Sequence, residues 1–160
     1  MQWEKLSETI QIAIDDTHRF GTDAFLLEHF AAVRGIDTVC DLCAGCGIIG
    51  LLMLRRERPP QSVTAVEIAP DAVELMRHTA EISSLTHFAP LRGDLREIRT
   101  LLPAHSFRLV TCNPPYFPAG SGYLCPEDSR RRARHEQKES CTTGEACDAV
   151  SYTHLRAHET

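Results

Sequence analysis

Ile10, Ile12 and Ile14 recur at every second position, and this two-residue period predicts a half-buried strand or extended arm over 9–14. Residues 15–21 read as a turn. From about Thr22 the period lengthens, placing Phe25, Leu26, Phe30 and Val33 on one helical face, with Thr22 or Asp23 as cap and Gly35 as terminator. Strands and helices then alternate. Strands are expected over 37–42, 62–68, 88–92 (the weakest) and 107–112. Helices are expected over 48–56, from Pro70 with Val73, Met76, Ala80 and Leu85 on one face, and over 95–102. This alternation predicts an α/β fold: an open, mainly parallel sheet with helices on both faces. Beyond it, residues 119–122 are loop-like and Arg130, Arg131, Arg132, Arg134 and Lys138 form a basic stretch. No clear buried strand follows, and no solenoid repeat is present.

A length of 160 residues implies one domain, and 42% hydrophobic against 24% charged residues supplies a core. The net charge of −5 excludes coating of nucleic acid by bulk charge, while leaving a local basic patch open. No apolar run approaches the roughly 18 residues of a membrane span. The start, Met1 to Lys5, carries no signal segment, so a cytoplasmic, membrane-free location is expected. Seven cysteines in that setting are expected to be reduced thiols. Cys40, Cys43 and Cys46 form a C-x-x-C-x-x-C run that could begin an iron–sulfur ligand set, with Cys125-Pro126 downstream. A ferredoxin run needs another cysteine soon after, and this chain has Ile48, Ile49 and Gly50 there. The reading preferred is a buried strand cysteine followed by two small turn residues, with no metal; His135-Glu136 reads as a solvated pair.

Gly45-Cys46-Gly47-Ile48-Ile49-Gly50 is a G-x-G-x-x-G between a strand and a helix, where glycines permit a sharp turn and close approach of a ligand. Glu67 ends the next strand about 20 residues on, where a carboxylate can accept from ribose hydroxyls. With Asp41 before the turn and Asp94 after the third strand, three acids mark the carboxyl edge of one sheet, and a nucleoside cofactor is expected there.

Asn113-Pro114-Pro115-Tyr116 follows the fourth strand. An exocyclic amine on an aromatic base is a poor nucleophile because its lone pair is delocalised into the ring. Two acceptors aimed at its hydrogens, the Asn113 side-chain oxygen and the Pro114 carbonyl, favour tetrahedral nitrogen and free that pair. The prolines preorganise the turn, and the Tyr116 ring can stack on an extruded base.

Together, residues 41–47, Glu67, Asp94 and 113–116 resemble the ordered motifs of Rossmann-like amino-methyltransferases. Residues 18–27, 113–118 and 132–136 further resemble the bacterial tRNA(Val) adenine N6-methyltransferase family, over about 14–150. The resemblance implies methyl transfer from S-adenosylmethionine to N6 of an adenine in tRNA. It implies Asp41, Gly45 and Gly47 at the methionine part, Glu67 at the ribose, Asp94 at the adenine amine, and Ile68 and Leu95 against the adenine faces. Phe20 and Asp23 fall in an arm closing over that pocket. Cys43 stands where many relatives have glycine, so a positive φ there would strain the turn. Alternatives on the same fold are a protein glutamine, an rRNA guanine or a DNA adenine as acceptor; outside it, an NAD-dependent oxidoreductase or an iron–sulfur protein. The resemblance also implies strands missing after the fourth. It assigns 1–150 to an incomplete methyltransferase domain and 151–160 to a non-native tail, which looks like a translated sequencing adapter. A marginally folded, inactive fragment is the expectation.

Overall fold

The computed structural model describes residues 1–114, 117–118, 135–136 and 141–154. An antiparallel hairpin of β1 (Gln2–Lys5) and β2 (Gln11–Ile14) precedes helix α1 (Thr22–Phe30). Then come β3 (Thr38–Leu42), α2 (Ile48–Leu54), β4 (Ser62–Glu67), α3 (Pro70–Ile82) and β5 (Phe88–Arg92). A 3-10 turn (Leu95–Glu97) leads into α4 (Ile98–Leu101) and β6 (Leu109–Cys112). A two-residue parallel pair, β7 (Phe117–Pro118) with β8 (His135–Glu136), and helix α5 (Thr143–Thr153) complete the described elements.

The sheet is parallel throughout, in the order β5-β4-β3-β6, with Asp41 opposite Ala65 on one side and Thr111 on the other. Alternate side chains of a strand face opposite ways, and the core divides accordingly. Val39, Val63 and Ala65 join Leu51, Met53, Val73 and Met76 on one face, where α2 and α3 pack. Cys40, Leu42 and Val66 join Leu95, Ile98, Phe107 and Ala149 on the other, where α4 and α5 pack. Covering on both faces is what makes the central strands continuously apolar. The expected Rossmann-like α/β architecture is the one observed. Strand order reverses between β3 and β6, and ligands of open α/β sheets bind beyond the carboxyl ends at such a switch point.

Several local expectations are corrected. Residues 2–5 form β1, although all four are exposed and no alternation announces them. Helix α1 buries Ala24 and Glu28 rather than the expected apolar stripe: Leu26 is 57% and Phe30 81% exposed. Glu28 is tolerated inside because the Arg56 guanidinium pairs with its carboxylate and bonds its carbonyl at 3.0 Å, locking α1 to the end of α2. The N-cap of α1 is Gly21, without a side-chain cap bond, and the helix stops at Phe30, before Gly35. The strand expected over 107–112 begins at Leu109, since Phe107 instead bridges to His154. Apart from these corrections, helix α5 opens with a Thr142–Glu145 capping box. Thr153 is buried and the Tyr152 hydroxyl donates to the Leu102 carbonyl at 3.4 Å.

β2 lies along α3 as an edge strand whose free donors are met by helix side chains. The Ala13 N–H donates to Thr79 Oγ1 at 2.9 Å and the Gln11 N–H to Ser83 Oγ at 3.0 Å. The arm thereby covers α3 and brings residues 15–23 to the carboxyl edge of the sheet. No helix among the described residues is long and apolar enough to cross a membrane.

Candidate active site at the sheet's carboxyl edge

The turn after β3 has left-handed backbone at Cys43 (φ 56°), Gly45 (φ 57°) and Gly47 (φ 82°). At Gly47 a Cβ would lie 2.8 Å from the Phe88 ring and 3.0 Å from Met76, so both conformation and space require glycine. At Gly45 a Cβ would meet nothing within 4 Å: the main chain there faces open space, where a ligand can approach it. Cys43 has the positive φ that the resemblance flags as straining for a residue with a side chain.

Glu67, at the end of β4, reaches across to this turn. Its Oε2 accepts from the Gly45 N–H at 2.8 Å, and its Oε1 accepts from the Ile68 and Ala69 N–H groups at 2.8 and 3.0 Å. One carboxylate therefore fixes two neighbouring loops relative to each other. Ile68, beside it, is 44% exposed at the same edge, whereas Leu95 is buried in the core face of the 3-10 turn.

Asp94 caps that turn, accepting from the Arg96 N–H at 2.9 Å and from its guanidinium. This pairing with Arg96 holds the carboxyl below its ordinary value of 3.8, despite partial burial. Asp41 is fully buried. Thr111 Oγ1 donates to its Oδ1 at 2.8 Å, while Oδ2 has no hydrogen-bond partner. Burial pushes its pKa up to about 7; the Thr111 hydroxyl and Gly50 N–H oppose the shift, and the Glu67 charge adds to it.

Asn113 follows β6, on the far side of the switch point from the glycine turn. Its Nδ2 donates to Asp23 Oδ2, 2.8 Å away in the first turn of α1. Pro114 is described; Pro115, Tyr116 and the arginines from Arg130 to Arg134 lie outside the described residues. The structure thus brings Gly45, Glu67 and Ile68 together on one side of the edge and joins Asn113 to the arm on the other.

Three partners escape sequence reasoning. Thr111 as the donor to Asp41 follows only from the β3–β6 register, and Arg96 as the partner of Asp94 only from the 3-10 turn. The third is Cys141, whose Sγ lies 3.6 Å from that of Cys43. Cys40 and Cys46 are buried, and burial pushes the Cys46 thiol up to about 12. Among the described residues no group of three or more His, Cys, Asp or Glu is arranged to hold a metal ion.

Comparison with known proteins bears on this edge. A tRNA1(Val) (adenine(37)-N6)-methyltransferase of Tolumonas auensis is 32% identical over 121 residues, 73% of this chain and 47% of its own length. The enzyme of that name from Shewanella amazonensis is 36% identical over 115 residues, 71% and 47% of the two lengths. The chain spans about half the length of the curated relatives it matches. A tRNA methyltransferase of M. jannaschii has the same fold, with a TM-score of 0.55 over 72% of this chain and 35% of its own, at 22% identity. The methyltransferase small domain description matches residues 16–123, which include α1, the glycine turn, all four strands of the parallel sheet and Asn113. The chain belongs to the methyltransferase small domain family.

Proposed function

We propose that the chain carries the cofactor and catalytic edge of an S-adenosylmethionine-dependent methyltransferase acting on the N6 amine of an adenine in tRNA, in the cytoplasm. The observation that carries the reading is Asn113, held by Asp23 across the switch point from the open glycine turn. The donor's requirements match the residues present. Gly45 offers backbone with no side chain in the way, and Glu67 stands beside it with acceptor capacity left on Oε2, which accepts one bond where Oε1 accepts two. Ile68 offers an apolar surface, and Asp94 with Leu95 follows the neighbouring strand. Asp41, buried on β3 just before the turn, is assigned to the methionine end on the likeness.

When bound, S-adenosylmethionine supplies a sulfonium methyl that passes to the amine nitrogen as the C–S bond breaks toward sulfur, the amine giving up one proton to solvent. The protein's part is alignment and acceptance. Asn113 Oδ1 and the Pro114 carbonyl accept from the two amine hydrogens, drawing the nitrogen lone pair out of conjugation. On the likeness alone, Pro115 is assigned to stiffening the turn and Tyr116 to stacking on the base. The relatives' tRNA substrate, the arginines from 130 to 134 as phosphate contacts, and the adenine acceptor all enter on the likeness to those enzymes.

The test is transfer of labelled methyl from S-adenosylmethionine to separate tRNA, rRNA, DNA and release-factor pools. Label in tRNA, lost at least tenfold in Asn113→Ala with cofactor affinity retained, is the expected result. Label in another pool alone overturns the substrate, and calorimetric binding of NAD but not S-adenosylmethionine overturns the reaction.

A further inference from the structure

We infer that Asp23 is a positioning residue that fixes which end of the Asn113 amide faces the acceptor amine; this rests on the methyl-transfer reading. The two residues are ninety positions apart, on α1 and after β6, and meet through the 2.8 Å bond from Asn113 Nδ2 to Asp23 Oδ2. An ionised carboxylate can only accept, so the amide atom turned toward Asp23 must be the nitrogen. Oδ1 is then turned the other way, where it can accept from an amine. With Asp23 absent, rotation about the last side-chain torsion presents the NH2 group instead, and two donors oppose each other. The bond also places negative charge behind the amide nitrogen, which raises electron density on Oδ1 and strengthens it as an acceptor.

Two local features hold Asp23 at this post. A Cβ at position 21 would lie 2.5 Å from Asp23 Oδ1, so Gly21 leaves the room in which the carboxylate folds back over the start of α1. The helix itself is anchored by buried Ala24 and by the Glu28–Arg56 pair, which gives Asp23 a fixed position beside the end of β6. The exposed apolar side of α1 plays no part in this anchoring.

The experiment compares wild type, Asp23→Ala, Asp23→Asn, Asn113→Ala and the double Ala variant in the full chain. It reads single-turnover methyl transfer to tRNA, S-adenosylmethionine affinity by calorimetry, and the Asn113 side-chain amide signals by nitrogen-correlated NMR. At saturating S-adenosylmethionine, Asp23→Ala is expected to slow transfer by about 10- to 100-fold, as a misplaced reacting group does, a loss that exceeds any fall in cofactor affinity. Asp23→Asn, which still offers an acceptor oxygen, recovers most of that loss, and the double variant is no slower than Asn113→Ala. Asp23→Ala at wild-type rate, or slowed only in proportion to lost cofactor affinity, overturns the inference. A wild type that neither binds S-adenosylmethionine nor methylates any pool overturns the methyl-transfer reading alone. The amide spectrum then decides, since unchanged Asn113 amide signals in Asp23→Ala overturn the positioning role whatever the reaction.

Discussion

Replacing Asp41 by asparagine is expected to make the protein more stable at alkaline pH than the wild type. The carboxyl has an ordinary value of 3.8, raised in the fold to about 7 because burial disfavours its charge. Between those values the native state holds a proton that the unfolded chain has released. Stability from this group is therefore fully present below 3.8 and falls as pH rises, until the native carboxyl ionises near 7. At about 1.4 kcal/mol per unit, the whole penalty is about 4 kcal/mol above pH 7, of which about 2 kcal/mol is incurred by pH 5. That is a large fraction of the total stability of an ordinary domain, about 5–15 kcal/mol. Asparagine keeps the shape and can still accept from Thr111, and it carries no charge to desolvate. Any cost of seating its amide where Asp41 Oδ2 lacks a partner is the same at both pH values. Urea unfolding of both proteins at pH 5 and pH 8 isolates the effect, because titrating groups not coupled to Asp41 cancel in the difference. The mutant-minus-wild-type stability should rise by about 2–3 kcal/mol between the two. A difference that is flat to within about 0.5 kcal/mol would refute burial as the force acting on this carboxyl.

Cys43→Gly should stabilise by about 1 kcal/mol, by relieving a side chain at φ 56°, with an unchanged denaturant slope; a lowered midpoint counts against strain in the turn. Glu67→Ala leaves the Gly45, Ile68 and Ala69 N–H groups without their acceptor, and should cost about 1–3 kcal/mol in unfolding. The same change should weaken S-adenosylmethionine binding by about tenfold or more, read by calorimetry; wild-type affinity removes Glu67 from the cofactor site. Changing Arg130, Arg131 and Arg132 to glutamine should flatten the salt dependence of tRNA binding by about 2–3 in log–log slope, and an unaltered slope means these arginines meet no phosphate.

What the sequence discloses depends on whether apolar residues carry the packing. The four parallel strands are legible because β3 and β4 are covered on both faces and so read as compact apolar runs between glycine and proline breaks. Helix α3 is legible for a related reason: Val73 and Met76 recur at helical spacing and are among the residues it buries. Helix α1 is legible as a helix and misread as a surface. Its inner face is built from a small residue, Ala24, and a charged one, Glu28, neutralised by Arg56 from another element. No hydrophobicity pattern can register a packing contact made by a salt bridge. β1 is silent because all of its side chains face solvent.

The same division runs through the candidate site. Glu67 beside the glycine turn is foreseeable, since strand-end acids in consecutive βα units converge on one edge, and its bond to Gly45 realises that convergence. Asp94 is foreseeable in place but not in partner. Arg96 reaches it only because a 3-10 turn brings a residue two positions on back over the carboxylate. Asp23 and Asn113 lie in separate motifs, and that they touch is a fact of tertiary structure alone.

Asp41 shows how these levels join. A carboxylate in the middle of an apolar strand conflicts with its surroundings, yet its bond to Thr111 ties β3 to β6 across the switch point. A one-residue slip of that pairing would set Asp41 against Val110, which has no side-chain donor, or Cys112, a weak one. It would also turn the covered faces of β6 inside out. Register is thus held by a polar contact as well as by apolar packing. Asn113 is only two residues beyond Thr111, so whatever fixes Thr111 also fixes where the Asn113 amide stands relative to the glycine turn. The destabilising charge that Asp41→Asn removes therefore sits on the residue that aligns the two halves of the edge. A stabilised Asp41→Asn variant should keep the Asn113–Asp23 contact, because asparagine still accepts from Thr111 and preserves the register.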